Sequence, residues 1–330
     1  MQMHRSLKTM ALALAVLAGS LSIAPATAQT AYPSRPVTLV VPQAAGGTND
    51  IVGRLVGQKV GEMLGGSAVV ENRPGAGGNI GTQYVARAPK DGHILLLTIS
   101  SSQAINPALY RNPGFDPVKD FAPVGLVGAV PNVLLANPSF PAKSMPELLA
   151  LARAGQPQAY RFASAGNGTL NHLLGEMLNH MAGIELQHVP YKGVAPAIND
   201  VLGNQLPLVF ASLPSALPHI QSGRLRPLAV SGARRSPALP EVPAIAETVP
   251  GYDGTLWIGL YAPAGVPPEV LARLRQAMAG ALAAPDLRAS LEKQGVEIAP
   301  PTSPEQFAEL LQRDLKKWAG IVKASGASLD

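Results

Sequence analysis

Two rhythms alternate along this chain: short unbroken runs of Val, Leu and Ile, and longer segments in which apolar residues return every three or four positions. The clearest switch lies at residues 37–64, where five strand formers end at Pro42 and Ile51, Val52, Leu55, Val56, Val60, Met63 and Leu64 then recur at helical spacing. This predicts a strand, a tight loop and a helix. Asn49 or Asp50 is the expected N-cap, because its side-chain oxygen can accept one of the backbone N–H groups that a first helical turn leaves unpaired. With the positive end of the helix dipole and the bare backbone at Gly46 and Gly47, the loop suits an anion such as a carboxylate.

Further on, the pattern predicts a strand at 68–71, a glycine-rich stretch at 72–81, a helix over 80–88 and a buried strand at 94–99 that ends in Ser100, Ser101 and Ser102. Hydroxyls just past the carboxyl end of a buried parallel strand stand where open α/β sheets bind ligands, although they serve equally well to stabilise a turn. Residues 106–123, rich in proline and glycine, read as a surface loop; 124–130 and 132–136 read as strands, and 144–154 as a helix opened by Ser144 with Glu147 three residues on. Residues 161–169 repeat the opening logic. A short strand enters the loop Ser164, Ala165, Gly166, Asn167, Gly168, Thr169, and a helix with Leu170, Leu173, Leu174, Met177 and Leu178 on one face leaves it. Two anion-ready helix starts about a domain's length apart suggest two lobes facing a shared cleft.

A third loop, Val189 to Gly193, precedes a helix at 195–202; a strand at 206–211 leads to Ser212-Leu213-Pro214-Ser215, and 225–231 is again strand-like. After the proline-rich stretch 236–250, the aromatic run YDGTLWIGLY at 252–261 is expected to re-enter the first lobe, and helices follow at 269–282, 286–294 and 304–325. Phe307 and Trp318 in the last helix are expected to be packing residues. Regular alternation of strands with helices makes the fold class α/β.

Composition changes this picture at the amino end. Arg5 and Lys8 precede the apolar run 10–23, and Ala26-Thr27-Ala28 supplies a small-x-small cleavage pattern. Fourteen residues are too few to span a bilayer, which needs about 20. Residues 1–28 are therefore expected to be a signal peptide cleaved after Ala28, with the mature chain exported. Removal of Arg5 and Lys8 leaves 24 bases against 21 acids, a formal charge of +3. The bases are scattered and aromatic residues make up 5% of the chain, so no groove for nucleic acid is expected. The chain has no cysteine, which removes disulfides and thiolate chemistry.

Known catalytic spacings are missing. A dinucleotide fingerprint starting at Gly75 would need glycine where Ile80 stands, and no Gly-Lys dipeptide is present for a P-loop. Neither a G-x-S-x-G elbow nor an H-E-x-x-H helix occurs. The histidines lack metal-ligand spacing, although His172 and His180 could share a helix face. No metal, cofactor or catalytic residue is expected; a hydrolase assembled from distant residues is the rival class.

Several blocks together carry a resemblance. Tyr32-Pro33, VPQAAGGTND, VVENRPGAGGNIG, APKDGHILLL, AINPALY, SAGNGTLNHLLGEML, VPYKGVAPAINDVLGNQ and YAPAGVPPEV, in this order, resemble the Bug family of periplasmic solute-binding receptors, relatives of the receptor component of tripartite tricarboxylate transporters. The resemblance implies a two-lobed periplasmic binding protein of type II-like form, with lobe 1 at 29–129 and 254–330, lobe 2 at 130–253, and hinges near 127–131 and 251–255. It implies a small carboxylate held in the cleft by backbone N–H groups, hydroxyls and ordered water. The partner implied is an integral-membrane permease or, alternatively, a signalling protein.

Carried onto this chain, the family's first binding loop falls on Gln43, Gly46, Gly47, Thr48, Asn49 and Asp50, and its hydroxyl strand end on Ser100 and Ser101. The second-lobe loop falls on Ser164, Gly166, Asn167, Gly168 and Thr169, and the tyrosine loop on Tyr191, Lys192 and Gly193. Three departures bear on the ligand. The family often has an aromatic residue at Gln43, a histidine at Gln103, and an aspartate after Phe210, where this chain has Ala211. Loss of that acid implies a non-amine mono- or dicarboxylate.

Overall fold

Each predicted apolar rhythm becomes an element, and the computed structural model of the chain describes residues 32–155 and 160–329. The expected signal peptide lies outside the described residues. In chain order the elements are β1 (Val37–Val41), α1 (Thr48–Leu64), β2 (Ala68–Asn72), α2 (Asn79–Ala86), β3 (Ile94–Ile99), α3 (Asn106–Leu109), β4 (Phe121–Val130), β5 (Asn132–Ala136), α4 (Met145–Ala154), β6 (Tyr160–Ser164) and α5 (Leu170–Ala182). There follow β7 (Leu186–Pro190), α6 (Val194–Leu202), β8 (Leu208–Ser212), α7 (Leu213–Gln221), β9 (Arg226–Val230), β10 (Leu256–Pro263), α8 (Pro268–Ala283), α9 (Pro285–Lys293), β11 (Glu297–Ile298) and α10 (Pro304–Ser325).

The strands form two sheets, one per lobe, ordered β11-β4-β10-β3-β1-β2 and β7-β6-β8-β5-β9. Both contain a parallel trio, β2-β1-β3 in one and β7-β6-β8 in the other. Beside each trio lies an antiparallel strand that arrives from the opposite lobe: β10 next to β3, and β5 next to β8. The chain thus crosses between lobes twice, at residue 131 and between β9 and β10. The aromatic run expected to return to the first lobe does so as β10, between β3 and β4.

Packing of α1 on β1 explains why that helix carries so many glycines. Val52, Val56, Val60 and Leu64 are buried, and Gly53, Gly57 and Gly61 form a neighbouring row at four-residue spacing. The row lets the helix backbone approach the sheet: a Cβ at Gly61 would stand 2.6 Å from the Ala68 nitrogen, and one at Gly53 would stand 2.9 Å from Val41 Cγ2. Ile51 and Met63, also at apolar positions of the helical pattern, are instead 37% and 40% exposed.

A single apolar cluster runs from Val40 and Leu96 in the first sheet, through Tyr252, Trp257, Tyr261, Phe307 and Trp318, to Leu174, Phe162 and Phe210 in the second lobe. Phe307 and Trp318 are packing residues, as expected, each fully buried and contributing roughly 1.5–3 kcal/mol by removal of apolar surface from water. Trp257 donates from Nε1 to Asp314 Oδ2 at 2.8 Å, and Lys317 Nζ stands 3.1 Å from the other oxygen of that buried carboxylate. The charge is therefore buried with both a donor and a counter-ion.

Two local expectations differ from the structure. The N-cap of α1 is Gly47, with Asn49 and Asp50 inside the first turn. The stretch read as a loop from 106 begins with α3, which carries Pro107 and continues a π-helical turn over Ser101–Ile105. Residues 213–215, to which the sequence pattern assigns no element, open α7 with Pro214 in its first turn, where a missing N–H costs no intrahelical bond. Substitution Gly61→Ala should destabilise the fold by about 1–3 kcal/mol, because the added methyl meets backbone rather than a movable side chain. Thermal unfolding should show a midpoint lowered by several degrees, whereas Gly57→Ala, whose nearest neighbours are side chains at 3.3 and 3.4 Å, should lower it less.

Candidate functional site

Between the two sheets lies a cleft of about 1070 Å³, walled by strand ends and helix starts from both lobes. Its first wall is the loop 42–49 leading into α1. Thr48 and Asn49, in the first turn of α1, present N–H groups with no backbone partner among the described residues. Asp50 lies behind them, 3% exposed. Its Oδ2 accepts from the Gly46 N–H at 2.8 Å and its Oδ1 from Asn72 Nδ2 at 3.0 Å, while Arg54 pairs with it at 3.0 Å. Burial pushes this carboxyl up, but the Gly46, Arg54 and Asn72 donors together outweigh it and hold the group below its ordinary 3.8. Asp50 thus organises the loop from within.

The Gln43 amide is held at both ends: Nε2 donates to Ser102 Oγ at 3.0 Å, and Oε1 accepts from Asn49 Nδ2. The glycine run that failed as a dinucleotide fingerprint closes the same wall. Pro74, Gly75, Gly77 and Gly78 line the cleft, and a Cβ at Gly78 (φ +102°) would stand 2.5 Å from Ser102 Oγ and 3.0 Å from Gln43 Nε2. Only glycine lets the backbone reach these two side chains.

In the second wall, Thr169 caps α5: its hydroxyl accepts from the His172 N–H at 3.4 Å and donates to Gly166 O at 2.7 Å. Gly168 N–H donates to His172 Nδ1 at 3.1 Å, so that nitrogen carries no proton. The His172 ring stacks on His188 at 3.9 Å, and His188 Nε2 stands 2.6 Å from Ser164 Oγ. Burial lowers His172 to about 4; burial, and then the neighbouring His172, lower His188 to about 3. Asn171 Nδ2 donates to Asn132 Oδ1 at 2.8 Å and to Phe210 O at 3.0 Å. The start of α6 adds Gly193, Val194 and Ala195 to the wall.

Of the residues singled out from sequence, Gln43, Gly46, Gly47, Thr48, Asn49, Ser101, Asn167, Gly168, Thr169, Lys192 and Gly193 line this cleft. The rest stand behind it. Ser100 is fully buried and accepts from the Trp257 N–H at 3.3 Å. Ser164 and Gly166 shape the second loop, the Tyr191 hydroxyl donates to Asp200, and Ala211 belongs to the apolar cluster around Val133 and Val209. Gln103 is fully buried too. Sequence reading missed the lining residues Asn106, Tyr110, Asn132, Asn171, Ser212 and Leu329. The glycine run at 75–78 was visible, but only its spacing against a nucleotide motif was weighed.

These contacts describe a receptor. A model of the family described as "Tripartite tricarboxylate transporter family receptor" matches residues 52–327. The chain belongs to that family. Protein BugT of Bordetella pertussis is 35% identical over 308 residues, covering 93% of this chain and 94% of that protein. Among solved structures, Rpa4515 of R. palustris with adipate is 36% identical with a TM-score of 0.80, covering 90% of this chain and all of that one. MatC of Rhodopseudomonas palustris with bound malate is 31% identical with a TM-score of 0.76, covering 88% of this chain and all of that one.

Among the described lining residues Lys192 is the charged one, and none of them carries a carboxylate. Ser164 beside His188 has the spacing of a nucleophile and its base, but the serine is fully buried and already bonded to Gly166, and a histidine lowered to about 3 is a poor base at neutral pH.

The unfolded chain takes up the His172 and His188 protons near the ordinary 6.5, whereas the folded chain refuses them until about 4 and about 3. Stability should therefore be full above that ordinary value and fall with decreasing pH below it, by at most about 1.4 kcal/mol per pH unit for each histidine. Chemical denaturation followed across this range should show the slope, and His188→Gln should flatten it.

Proposed function

We propose that this receptor captures a non-amine mono- or dicarboxylate in the periplasm and delivers it to a membrane permease, without covalent chemistry. One observation carries the reading: both lobes turn helix starts toward one cleft, and among the described residues no acidic side chain lines it. Unpaired N–H groups and positive helix ends favour a carboxylate. An ammonium group entering the same cleft would lose its water without gaining a counter-ion, which disfavours amino acids. Rejection of amines thus rests on the whole wall, since Ala211 is turned into the apolar core of the second lobe.

The solved relatives with adipate and with malate support a small dicarboxylate as the first class to try. Exposed Lys192 at the mouth offers a second negative group a counter-charge. Among the described residues no helix is long and apolar enough to cross a membrane, in keeping with a receptor that works beside a permease. Export would follow cleavage after Ala28, which the mass of the secreted protein reads directly.

Thermal unfolding of the ligand-free protein against succinate, malate, adipate, aspartate and glutamate tests the ligand class. A cognate ligand at about a hundred times its dissociation constant should stabilise the fold by roughly 2.7 kcal/mol and raise the midpoint by a few degrees. Stabilisation by aspartate or glutamate, with none from the three dicarboxylates lacking an amine, would overturn the reading. Gly47→Pro should weaken binding of the active carboxylate while leaving the midpoint of the free protein near that of the parent. Thr169→Val, which removes the α5 cap as well, should lower both.

A further inference from the structure

The two crossovers between lobes are fastened at closely spaced points. On the first-lobe side, Val130 of β4 and Leu256 of β10 are partners in the sheet ladder. On the second-lobe side, one residue holds both chains. Ser231 Oγ accepts from the Asn132 N–H at 3.0 Å and donates to Gly254 O at 3.0 Å. Its backbone completes the pattern, with Ser231 N–H donating to Asn132 O and Gly254 N–H donating to Ser231 O, each at 2.8 Å. Ser231 is fully buried, so water does not compete for these bonds.

Between the ladder pair and the serine a single residue remains on each chain, Pro131 and Thr255. The proline ring locks its own φ, and the Pro131 carbonyl accepts from the Leu213 N–H of the second lobe at 3.0 Å, so ψ is the torsion left at this pivot. Thr255 is steadied by Asp253, whose Oδ1 accepts from the threonine hydroxyl at 2.7 Å. Lys317 of α10 also reaches this crossover, donating to Asp253 O at 3.2 Å, but its long stem can follow a moving carbonyl. We infer that Ser231 is a positioning residue that confines rotation between the lobes to Pro131 and Thr255, and so sets the path along which the cleft closes.

The same serine stands close behind the ligand wall. Asn132, which it fastens, accepts from Asn171 of α5, and Val130, Asn132, Asn171 and Leu256 all line the cleft. A ligand seated there presses on residues adjoining both pivots. Assigning this rotation to ligand capture rests on the receptor reading; the location of the pivots does not.

Because the chain has no cysteine, Val69→Cys on β2 and Ala150→Cys on α4, both exposed, give one spin-labelled pair across the lobes. Pulsed dipolar spectroscopy on the ligand-free protein should give a narrow distance distribution. Ser231→Ala, which keeps the two backbone bonds and loses both hydroxyl bonds, should broaden it by freeing residues 130–132 and 254–256. A lowered thermal midpoint with an unchanged width would mean that the serine only stabilises the fold, and would overturn the inference. If Ser231→Ala does not fold, Pro131→Ala decides, because it spares every bond of Ser231 while freeing one pivot torsion; it must broaden the same distribution, and an unchanged width would be equally fatal. Added adipate should shorten the mean distance in the parent. A parent that adipate leaves unmoved counts against this ligand class alone, since the widths are read without ligand.

Discussion

A helix that begins at the carboxyl end of a strand leaves its first N–H groups without intrahelical partners, and this molecule turns three such starts into one cleft. The α1 start comes from the first lobe, and the α5 and α6 starts from the second. Neighbouring donors are consumed by the protein itself: Asp50 takes the Gly46 N–H, His172 takes that of Gly168, and the Ala165 carbonyl takes that of Gly193. The loops are thus shaped before any ligand arrives, and the remaining donors of the first turns need an acceptor from outside the chain. The carboxylate of the proposed function would supply that acceptor from its oxygens.

Neutrality of the walls follows from the same arrangement. Asp50 is ionised but enclosed by its donors, so its charge organises the loop and does not repel an anion at the surface. The stacked histidines are kept uncharged by burial, and His172 must stay so to accept from Gly168. On the proposed reading, fixed backbone dipoles carry most of the recognition.

Binding of this kind requires two lobes that approach each other without losing their shared core. The apolar cluster that joins the sheets through Tyr252, Trp257 and α10 resists any motion that would expose it. Rotation confined to one residue on each crossover is compatible with that constraint, because the ladder pair on one side and Ser231 on the other remain intact. Ligand contact and hinge geometry meet at Asn132, whose backbone is tied to the serine and whose side chain is tied to Asn171.

Much of this was legible in local sequence. Helical spacing and strand runs placed nearly every element, and the small-residue loops before α1 and α5 marked two of the helix starts. The two-lobed α/β class and the family followed from ordered blocks of residues. The helix starts at Pro107 and Pro214 escaped notice because proline punctuates loops and first turns alike. Residues such as Asn132, Asn171 and Leu329 carried no local mark of their place in the cleft, and Ser100, Ser164 and Ala211 turned out to stand behind it. The elements, the anion-ready helix starts and the family are all written in patterns a few residues long, and could be read from them. Tertiary structure alone decided which donors face the cleft and where the lobes pivot, because those depend on pairs such as Ser100 with Trp257 and Asn132 with Ser231, 157 and 99 residues apart.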